Sequence, residues 1–106
     1  MHATIRRYPA KSGSFDPQAL KGLKQRVEAG FIPRIQDVRG FHGYFMMDVG
    51  NKELVTISLF EDRDGTTEST RRAAEFVRTD PMKDQLGAPE VIEGELLLAK
   101  EAALSS

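Results

Sequence analysis

Two strand-like runs joined by a short turn constrain the fold of this chain more than any other feature. The runs, Phe41–Val49 and Glu53–Phe60, are rich in aromatic and β-branched residues, and only Gly50-Asn51-Lys52 separates them. This pattern predicts an antiparallel β-hairpin. Both faces of the hairpin are largely apolar, although a sheet covered by one layer of helices needs only one such face. We therefore expect the second face to be covered by other protein atoms and not by solvent.

The length of the hairpin loop decides which side chains share a face, because a shift of one residue moves every side chain to the opposite side. A three-residue loop sorts the side chains into two sets, and a two-residue loop would shift the pairing. One set is Phe41, Phe45, Met47, Val55, Ile57 and Leu59. The other set is His42, Tyr44, Met46, Thr56, Ser58 and Phe60.

A helix is predicted before the hairpin. Asp16 and Pro17 are a typical helix start, because an aspartate caps free N–H groups and a proline at the first helical position loses no hydrogen bond. Pro33 either ends this helix near Phe31 or kinks it on its way through Ile35. We favour the kinked continuation.

The order of the remaining elements indicates the fold class. A second helix should follow the turn at 62–65, with cap candidates at 66–68 and an inner stripe formed by Thr70, Ala73, Ala74 and Val77. Strands are predicted at 3–8 and 91–99. The resulting order is that of an α+β, ferredoxin-like βαββαβ domain with a four-stranded antiparallel sheet and both helices on one face. We expect a single domain over 1–106 whose bare sheet face pairs with a second copy in a homodimer.

Charge and composition limit the choice of partners. Fifteen Lys and Arg residues against sixteen Asp and Glu residues give a net charge of -1, which argues against a nucleic-acid or anionic-membrane partner. No stretch approaches the roughly 18 apolar residues of a membrane span, and the first residues lack a signal-like apolar run. The chain has no cysteine, as is common in a reducing compartment. We therefore expect a cytoplasmic protein.

His42 and Tyr44 are the candidate catalytic residues. His42 lies on a predicted core strand, and a histidine side chain is a common proton acceptor and metal ligand, so it could accept a phenolic proton or ligate haem iron. The alternative is that it fills the sheet while hydrogen-bonded to a neighbour. Tyr44 could donate a hydrogen bond to a substrate carbonyl, or it could bury its ring with the hydroxyl at the edge.

A second group of residues is predicted to line a ligand pocket: Arg6, Arg7, Ser58, Phe60 and Ser69. The two arginines lie on opposite faces of the first strand, so at least one must point towards a buried side or snorkel past it. A buried arginine beside an apolar pocket would suit a phenolate or a carboxylate. The alternative is an ion pair with Glu93 or Glu95 on the last strand. The two serines are weaker candidates, and no metal site is predicted, because the acidic turn at 61–65 lacks the ligand spacing of a calcium loop.

Several segments resemble those of a known family: Phe31-Ile32-Pro33-Arg34-Ile35, Gly40-Phe41-His42-Gly43-Tyr44, Val55-Thr56-Ile57-Ser58-Leu59-Phe60-Glu61-Asp62, Glu68-Ser69 and Arg72-Ala73-Ala74-Glu75-Phe76-Val77. They are similar to segments of the antibiotic biosynthesis monooxygenase-like group of the dimeric α+β barrel superfamily. The resemblance covers roughly 4–98. It implies two sheets that face each other across a homodimer, with helices outside and a ligand pocket in each subunit between helices and sheet.

The chain departs from this superfamily at residues that its haem-degrading members use. Those members rely on an asparagine on the first strand and on a tryptophan and a histidine on the second helix. Here there is no tryptophan, the second helix has no histidine, and the only asparagine is Asn51 in the hairpin turn. The monooxygenase members likewise tend to use a tryptophan and an asparagine. No nucleotide or flavin motif occurs either, so we expect no cofactor.

Two functions follow from the resemblance. The first is a small-molecule-binding protein similar to cofactor-independent monooxygenases that act on aromatic or quinol-like substrates. In it, His42 would accept a proton, Tyr44 or an N-terminal arginine would stabilise the phenolate, and dioxygen would react with the activated substrate. The second is a non-catalytic dimeric ligand-binding or stress-associated protein in which the same residues are structural. The sequence leaves open whether the chain is an enzyme, and both functions imply a small apolar or aromatic ligand.

Overall fold

The computed structural model describes residues 1–100, and its elements follow the predicted order. The strands are β1 His2–Pro9, β2 Phe41–Val49, β3 Glu53–Phe60 and β4 Glu90–Glu95. The helices are α1 Pro17–Arg26, α2 Ile32–Gln36 and α3 Arg63–Thr79. The sheet is antiparallel with the strand order β2-β3-β1-β4, which confirms the ferredoxin-like α+β fold. The assignment of all of 1–106 to one domain stays a prediction, because 101–106 lie outside the described residues.

The first helical segment is continuous through Pro33. Asp16 caps α1 by accepting a hydrogen bond from the backbone N–H of Gln18, as predicted. A π-helical turn, Val27–Phe31, then joins α1 to α2 with helical backbone angles at both junctions. A π turn inserts one extra residue, which accommodates the proline that follows it. Within residues 1–100, none of the helices has the length and apolar character that crossing a bilayer requires.

Helix α3 begins before the cap candidates at 66–68. Asp62 is its N-cap and accepts a hydrogen bond from the backbone N–H of Gly65 at 3.2 Å. A Cβ at Gly65 would lie 2.6 Å from the ring of Phe60, so glycine permits the close approach of α3 to β3. The inner stripe also differs from the prediction, because Ala74 is exposed.

The hairpin has the predicted three-residue loop. Phe45 pairs with Ile57, and Val49 pairs with Glu53 at the end of the ladder. Both Gly50 and Asn51 adopt a φ of 59°, a left-handed conformation that glycine and asparagine tolerate best. The two predicted sets of side chains are therefore correct for most of the hairpin.

A β-bulge at the start of β2 changes the predicted faces of two residues. Phe41 pairs with Phe60, and Gly43 pairs with Leu59, so that His42 is an extra residue without a partner in the ladder. The bulge turns Phe41 towards the helices, where its ring lies 5.7 Å from that of Phe60. The prediction that His42 shares a face with the later residues of β2 is wrong, because a bulge breaks the alternation of a strand.

Strand β4 is shorter than predicted, since it ends at Glu95 and not near 99. The backbone N–H of Leu96 still donates to the carbonyl of Met1 at 2.8 Å. Beyond it, Leu97 and Leu98 are exposed. Alternation of apolar residues therefore overestimated the length of this edge strand.

The helices cover only one face of the sheet. The opposite face, called the open face here, combines half-buried side chains at its centre with exposed ones at its edges. Phe45 and Met47 on β2 are 56% and 50% exposed, and Ile92 on β4 is 48% exposed. The prediction of an apolar face without helices is therefore confirmed. The apolar side chains of the open face are Ile5, Phe45, Met47, Val49, Val55, Ile57, Leu59 and Ile92, and the ion pair of Arg7 with Glu53 lies on the same face.

Candidate functional site

A row of polar side chains crosses the middle of the sheet face that packs against the helices. On β1 this face carries Thr4 and Arg6, which are opposite Ser58 and Thr56 on β3. All four side chains are buried, and Arg6 is only 1% exposed. The strand alternation that separates Arg6 from Arg7 places one arginine in the interior, as predicted.

The Arg6 guanidinium is held entirely by neutral hydroxyl groups. Its Nη1 donates to Thr56 Oγ1 at 3.3 Å and to Ser58 Oγ at 3.4 Å, and its Nη2 donates to Ser69 Oγ on α3 at 2.9 Å. Within residues 1–100, the buried Arg6 Nε has no hydrogen-bond partner. The guanidinium therefore has spare donor capacity in the interior.

No carboxylate within the described residues neutralises this buried cation. None of the ion pairs in that part of the chain includes Arg6, so the alternative pairing with Glu93 or Glu95 does not form. Burial lowers the pKa of Arg6, while Tyr8, Tyr44 and Glu93 act in the opposite direction. An arginine keeps its proton in proteins, and a buried charge without a counter-ion is costly. The arrangement is suited to an incoming anion.

Arg7 lies on the other face of the sheet and takes no part in this arrangement. Its Nε donates to Glu53 Oε1 at 2.6 Å, and Glu90 lies at the edge of contact. The hydrogen bond with Glu53 raises the pKa of Arg7. The structure thus places Arg7 in an exposed ion pair, away from the cavity that Arg6 lines, although both arginines were predicted to line one pocket.

An inner cavity lies between the helices and the sheet, with Arg6 in its wall. It encloses about 350 Å³ of empty space, its open side included. Its polar lining residues are Arg6, Tyr8, Tyr44 and Thr56, and the remaining walls are apolar. Those walls are formed by Leu23, Val27, Phe31, Met46, Leu54, Ala73, Phe76, Val77 and Leu86.

An outer cleft between α1 and the edge strand β2 adjoins the inner cavity. The two spaces share Val27, Tyr44, Met46 and Leu54, and the cleft holds about 1030 Å³ of empty space open to solvent. Its rim is charged, since it includes Lys21, Lys24, Glu28 and Asp48. The shared walls place the inner cavity next to the outer cleft at this edge of the sheet.

Tyr44 lines both spaces and is a neutral hydrogen-bonding group there. Burial raises the pKa of Tyr44 well above its ordinary value, and the Arg6 charge opposes that rise. Burial likewise raises the pKa of Tyr8. Both phenols therefore keep their protons at neutral pH and can donate hydrogen bonds. The ring of Tyr44 is fixed edge-on to Phe31, with 5.5 Å between the ring centroids.

The other predicted site residues lie outside the cavity wall. His42, in the bulge, is exposed, and its Nε2 lies 2.7 Å from Glu61 Oε2. Ser58 and Ser69 are fully buried behind the cavity, where they bind the Arg6 guanidinium. Phe60 is fully buried against Phe41. Of the candidates, the structure brings together Arg6, Tyr44 and, one layer behind them, the two serines.

Two wall residues, Tyr8 and Thr56, were absent from the candidates. Tyr8 is two positions from Arg6 on the same strand, so strand alternation alone assigns both to one face. Thr56 had been assigned to the face of Tyr44, but nothing in the sequence indicated that it would pair with Arg6. Strand alternation could thus have identified Tyr8 as a wall residue. Identifying Thr56 requires the register between β1 and β3, which the sequence does not give.

Proton acceptors and metal ligands are sparse around the cavity. Among the described residues, no histidine or carboxylate lines the inner cavity. Glu28 and Asp48 line the adjoining outer cleft. Within residues 1–100, no three His, Asp or Glu side chains are grouped so that they could hold a metal ion.

Solved structures are similar to this chain over nearly its whole length. A protein of unknown function from Nitrosomonas europaea is 23% identical, with a TM-score of 0.70 over 96% of this chain and 94% of that one. The monooxygenase ActVA-Orf6 of Streptomyces coelicolor, solved with nanaomycin D, is 16% identical, with a TM-score of 0.65 over 99% and 92%. The heme degrader MhuD from Mycobacterium tuberculosis, solved with two hemes in its active site, is 14% identical, with a TM-score of 0.67 over 95% and 100%.

No family model matches this sequence, and no curated protein is significantly similar to it. At the identities of the solved structures, the likeness establishes the fold. The chain shares its fold with the monooxygenase ActVA-Orf6 and the heme degrader MhuD, in agreement with the fold that the sequence resemblance implied.

Proposed function

We propose that this protein binds a small aromatic or quinol-like molecule through an anionic oxygen that the Arg6 guanidinium holds. The observation that carries the proposal is a fully buried arginine whose hydrogen-bond partners are all neutral hydroxyls, in the wall of an apolar cavity. A phenolate or enolate oxygen would supply the missing negative charge. The apolar walls would then contact the rings of the same molecule.

The neutral tyrosines complete this site. Tyr44 and Tyr8 are held in the protonated form by burial, so each can donate a hydrogen bond to an oxygen of the ligand. Two donors and a fixed cation favour the ionised form of a phenol over its neutral form. His42 and Arg7 are not part of the proposed site, because both are exposed elsewhere.

The proposed reaction is a cofactor-independent monooxygenation of the bound phenolate. One phenol and one O₂ give one quinone and one water, so the substrate supplies all four electrons. One oxygen atom forms the new carbonyl and the other leaves as water. Arg6 would favour this reaction by stabilising the electron-rich phenolate that reacts with O₂. Solvent in the outer cleft, or Asp48 on its rim, would take up the phenolic proton.

A non-catalytic ligand-binding protein is the second candidate. The observation that favours it is the lining of the inner cavity, which includes no histidine and no carboxylate. Such a protein would bind the same anionic aromatic molecule without turning it over. Oxygen consumption separates the two candidates, because only the enzyme would use O₂ in proportion to the substrate lost.

We also propose that the protein is a homodimer in which the open faces of the two copies pack together. The support is the apolar character of that face, including the exposed side chains of Phe45, Met47 and Ile92. Burying such side chains yields about 25 cal/mol per Å² of apolar area, and a two-fold pairing satisfies both copies at once. The cytoplasmic location expected from the lack of cysteine is part of the same proposal.

Calorimetric titration with 1-naphthol tests the ligand class. The control ligand is 1-methoxynaphthalene, which has the same rings but cannot ionise. We expect the naphthol to bind at least about tenfold more tightly, as one charge-assisted hydrogen bond would require. The variant Arg6→Met should lose this preference, whereas the matched variant Arg7→Met should keep it. Equal binding of both ligands to the wild-type protein would overturn the proposal.

A further inference from the structure

A third pocket lies between α3 and β4. It contains about 660 Å³ of empty space, its open side included. We propose that this pocket, called the α3–β4 pocket here, binds a small organic carboxylate. This site is separate from the outer cleft, with which it shares no lining residue. Its lining residues are Arg6, Tyr8, Thr70, Ala74, Val77, Arg78, Lys83, Pro89 and Val91.

The charge of the α3–β4 pocket is the first argument. Arg6, Arg78 and Lys83 line it, and no acidic residue does. Within residues 1–100, none of these three cations forms an ion pair. Glu93 lies two residues beyond Val91 on the same face of β4, but it is exposed and is not a lining residue. Three cations that form no ion pair in the described part of the chain attract an anion to this pocket.

Unpartnered polar atoms are the second, independent argument. In the described part of the chain, Arg6 Nε and Thr70 Oγ1 are buried and lack hydrogen-bond partners. Both belong to side chains that line the α3–β4 pocket. Buried polar groups in proteins are nearly always hydrogen-bonded, and a carboxylate can accept from a guanidinium and a hydroxyl together. Both atoms are closed to solvent, so we expect the Arg6 and Thr70 side chains to rotate towards a bound carboxylate, whose oxygens would then satisfy both atoms.

The walls of the α3–β4 pocket determine what else the ligand carries. Ala74 and Val77 on α3 face Pro89 and Val91 from the β4 side. These apolar groups fit the hydrocarbon part of an organic acid better than an inorganic anion, which would leave them in contact with water. A compact acid with a ring or a short branched chain therefore matches the pocket.

Arg6 and Tyr8 line both the α3–β4 pocket and the inner cavity. A carboxylate near Arg6 would partly neutralise the charge that the inner cavity offers to a phenolate. Occupation of the α3–β4 pocket should therefore weaken binding in the inner cavity. The reverse effect must be of equal size, because such coupling is reciprocal.

Benzoate is the probe for this site, and neutral benzamide is its control. Binding is followed through the backbone amide signals of Thr70, Ala74 and Val91 in the full chain by NMR, with Met46 and Asp48 reporting on the inner cavity and outer cleft. We expect benzoate to shift the first group of signals and benzamide to leave them unchanged. The double variant Arg78→Ala/Lys83→Ala should weaken this binding about tenfold, since two of the three cations that line the pocket are removed.

The matched control variant is Arg34→Ala/Arg63→Ala, which removes two positive charges from exposed positions outside the pocket. It should bind benzoate within about twofold of the wild-type protein. Benzoate shifts confined to Met46 and Asp48 would overturn this inference and leave the proposed function standing. Benzoate affinity that is equal in the wild-type protein and in Arg78→Ala/Lys83→Ala would overturn it as well.

Discussion

Arg6 on β1 and Ser69 on α3 are joined by a hydrogen bond of 2.9 Å between two fully buried side chains. Ser69 Oγ in turn donates to the backbone carbonyl of Thr66 at 2.9 Å, so the serine accepts from the arginine while it remains anchored to its own helix. The guanidinium is thereby held in one position by groups that carry no negative charge. A fixed and uncompensated cation requires little rearrangement when an anion binds.

Replacing Arg6 should show how much the buried, unpaired guanidinium lowers the stability of the folded protein. We expect Arg6→Met to raise the free energy of unfolding by about 1 kcal/mol or more, because an apolar side chain replaces a buried unpaired charge. Ser69 keeps its own bond to Thr66. The measurement is urea unfolding followed by circular dichroism. Arg7→Met is the matched control and should change stability by less than about 1 kcal/mol, since it removes only an exposed ion pair. A loss of stability in Arg6→Met larger than that of Arg7→Met would contradict the account.

Tyr44 should make the protein less stable at alkaline pH. Burial raises its pKa in the folded protein above the value of 10.0 that applies to the unfolded chain. The stabilising contribution is therefore complete below pH 10 and is lost as the pH rises towards the folded-state pKa. We expect the free energy of unfolding to fall more steeply between pH 9 and pH 11 in the wild-type protein than in Tyr44→Phe. Parallel pH profiles for the two proteins would show that Tyr44 does not titrate with folding.

The open face should control the oligomeric state. A carboxylate on this apolar face would have to be buried against a second copy, so we expect Phe45→Glu to be monomeric where the wild-type protein is dimeric. Sedimentation velocity at micromolar concentration measures this directly. Ala29→Glu, an equally drastic change at an exposed helical position, should leave the dimer intact. A monomeric wild-type protein would refute the proposed pairing of open faces.

Removing the Asp80 carboxylate should lower the free energy of unfolding more than removing an exposed carboxylate does. It is buried, it receives two hydrogen bonds from Arg26 at 2.8 and 3.0 Å, and it caps the backbone N–H of Met82 at 2.9 Å. We expect Asp80→Ala to lower the free energy of unfolding by about 2 kcal/mol or more, because these bonds involve charged groups and link α1 to the end of α3. Glu28→Ala breaks only the exposed ion pair with Lys24 and should cost less than about 0.5 kcal/mol. Similar losses in the two variants would contradict this ranking.

Local pattern sufficed for most of the fold. Asp16 and Pro17 indicate where α1 begins, and the separation of Arg6 from Arg7 follows from strand alternation. The choice of Asp62 as the cap of α3 was missed, because Thr66 and Thr67 are also good cap residues and the decision depends on how closely Gly65 approaches β3.

The candidate site was only partly predictable for a different reason. A bulge adds one residue to a strand without an obvious mark in the sequence, so alternation could not show that His42 has no partner in the ladder or that Phe41 faces the helices. The hydroxyl partners of Arg6 come from β3 and α3, which are far from it along the chain. Their identity depends on the strand register and helix position, which are tertiary properties. The sequence could therefore indicate a buried arginine but not what surrounds it.

The ionisation state of a bound phenol tests the central claim most directly. The probe is 4-nitrophenol, whose phenol and phenolate forms differ in their visible absorption. If Arg6 holds an anionic oxygen, the apparent pKa of the bound probe should lie at least about one unit below that of the free probe, since one unit corresponds to 1.36 kcal/mol. The shift should disappear in Arg6→Met and persist in Arg7→Met. A bound probe whose pKa equals or exceeds that of the free probe would contradict the account.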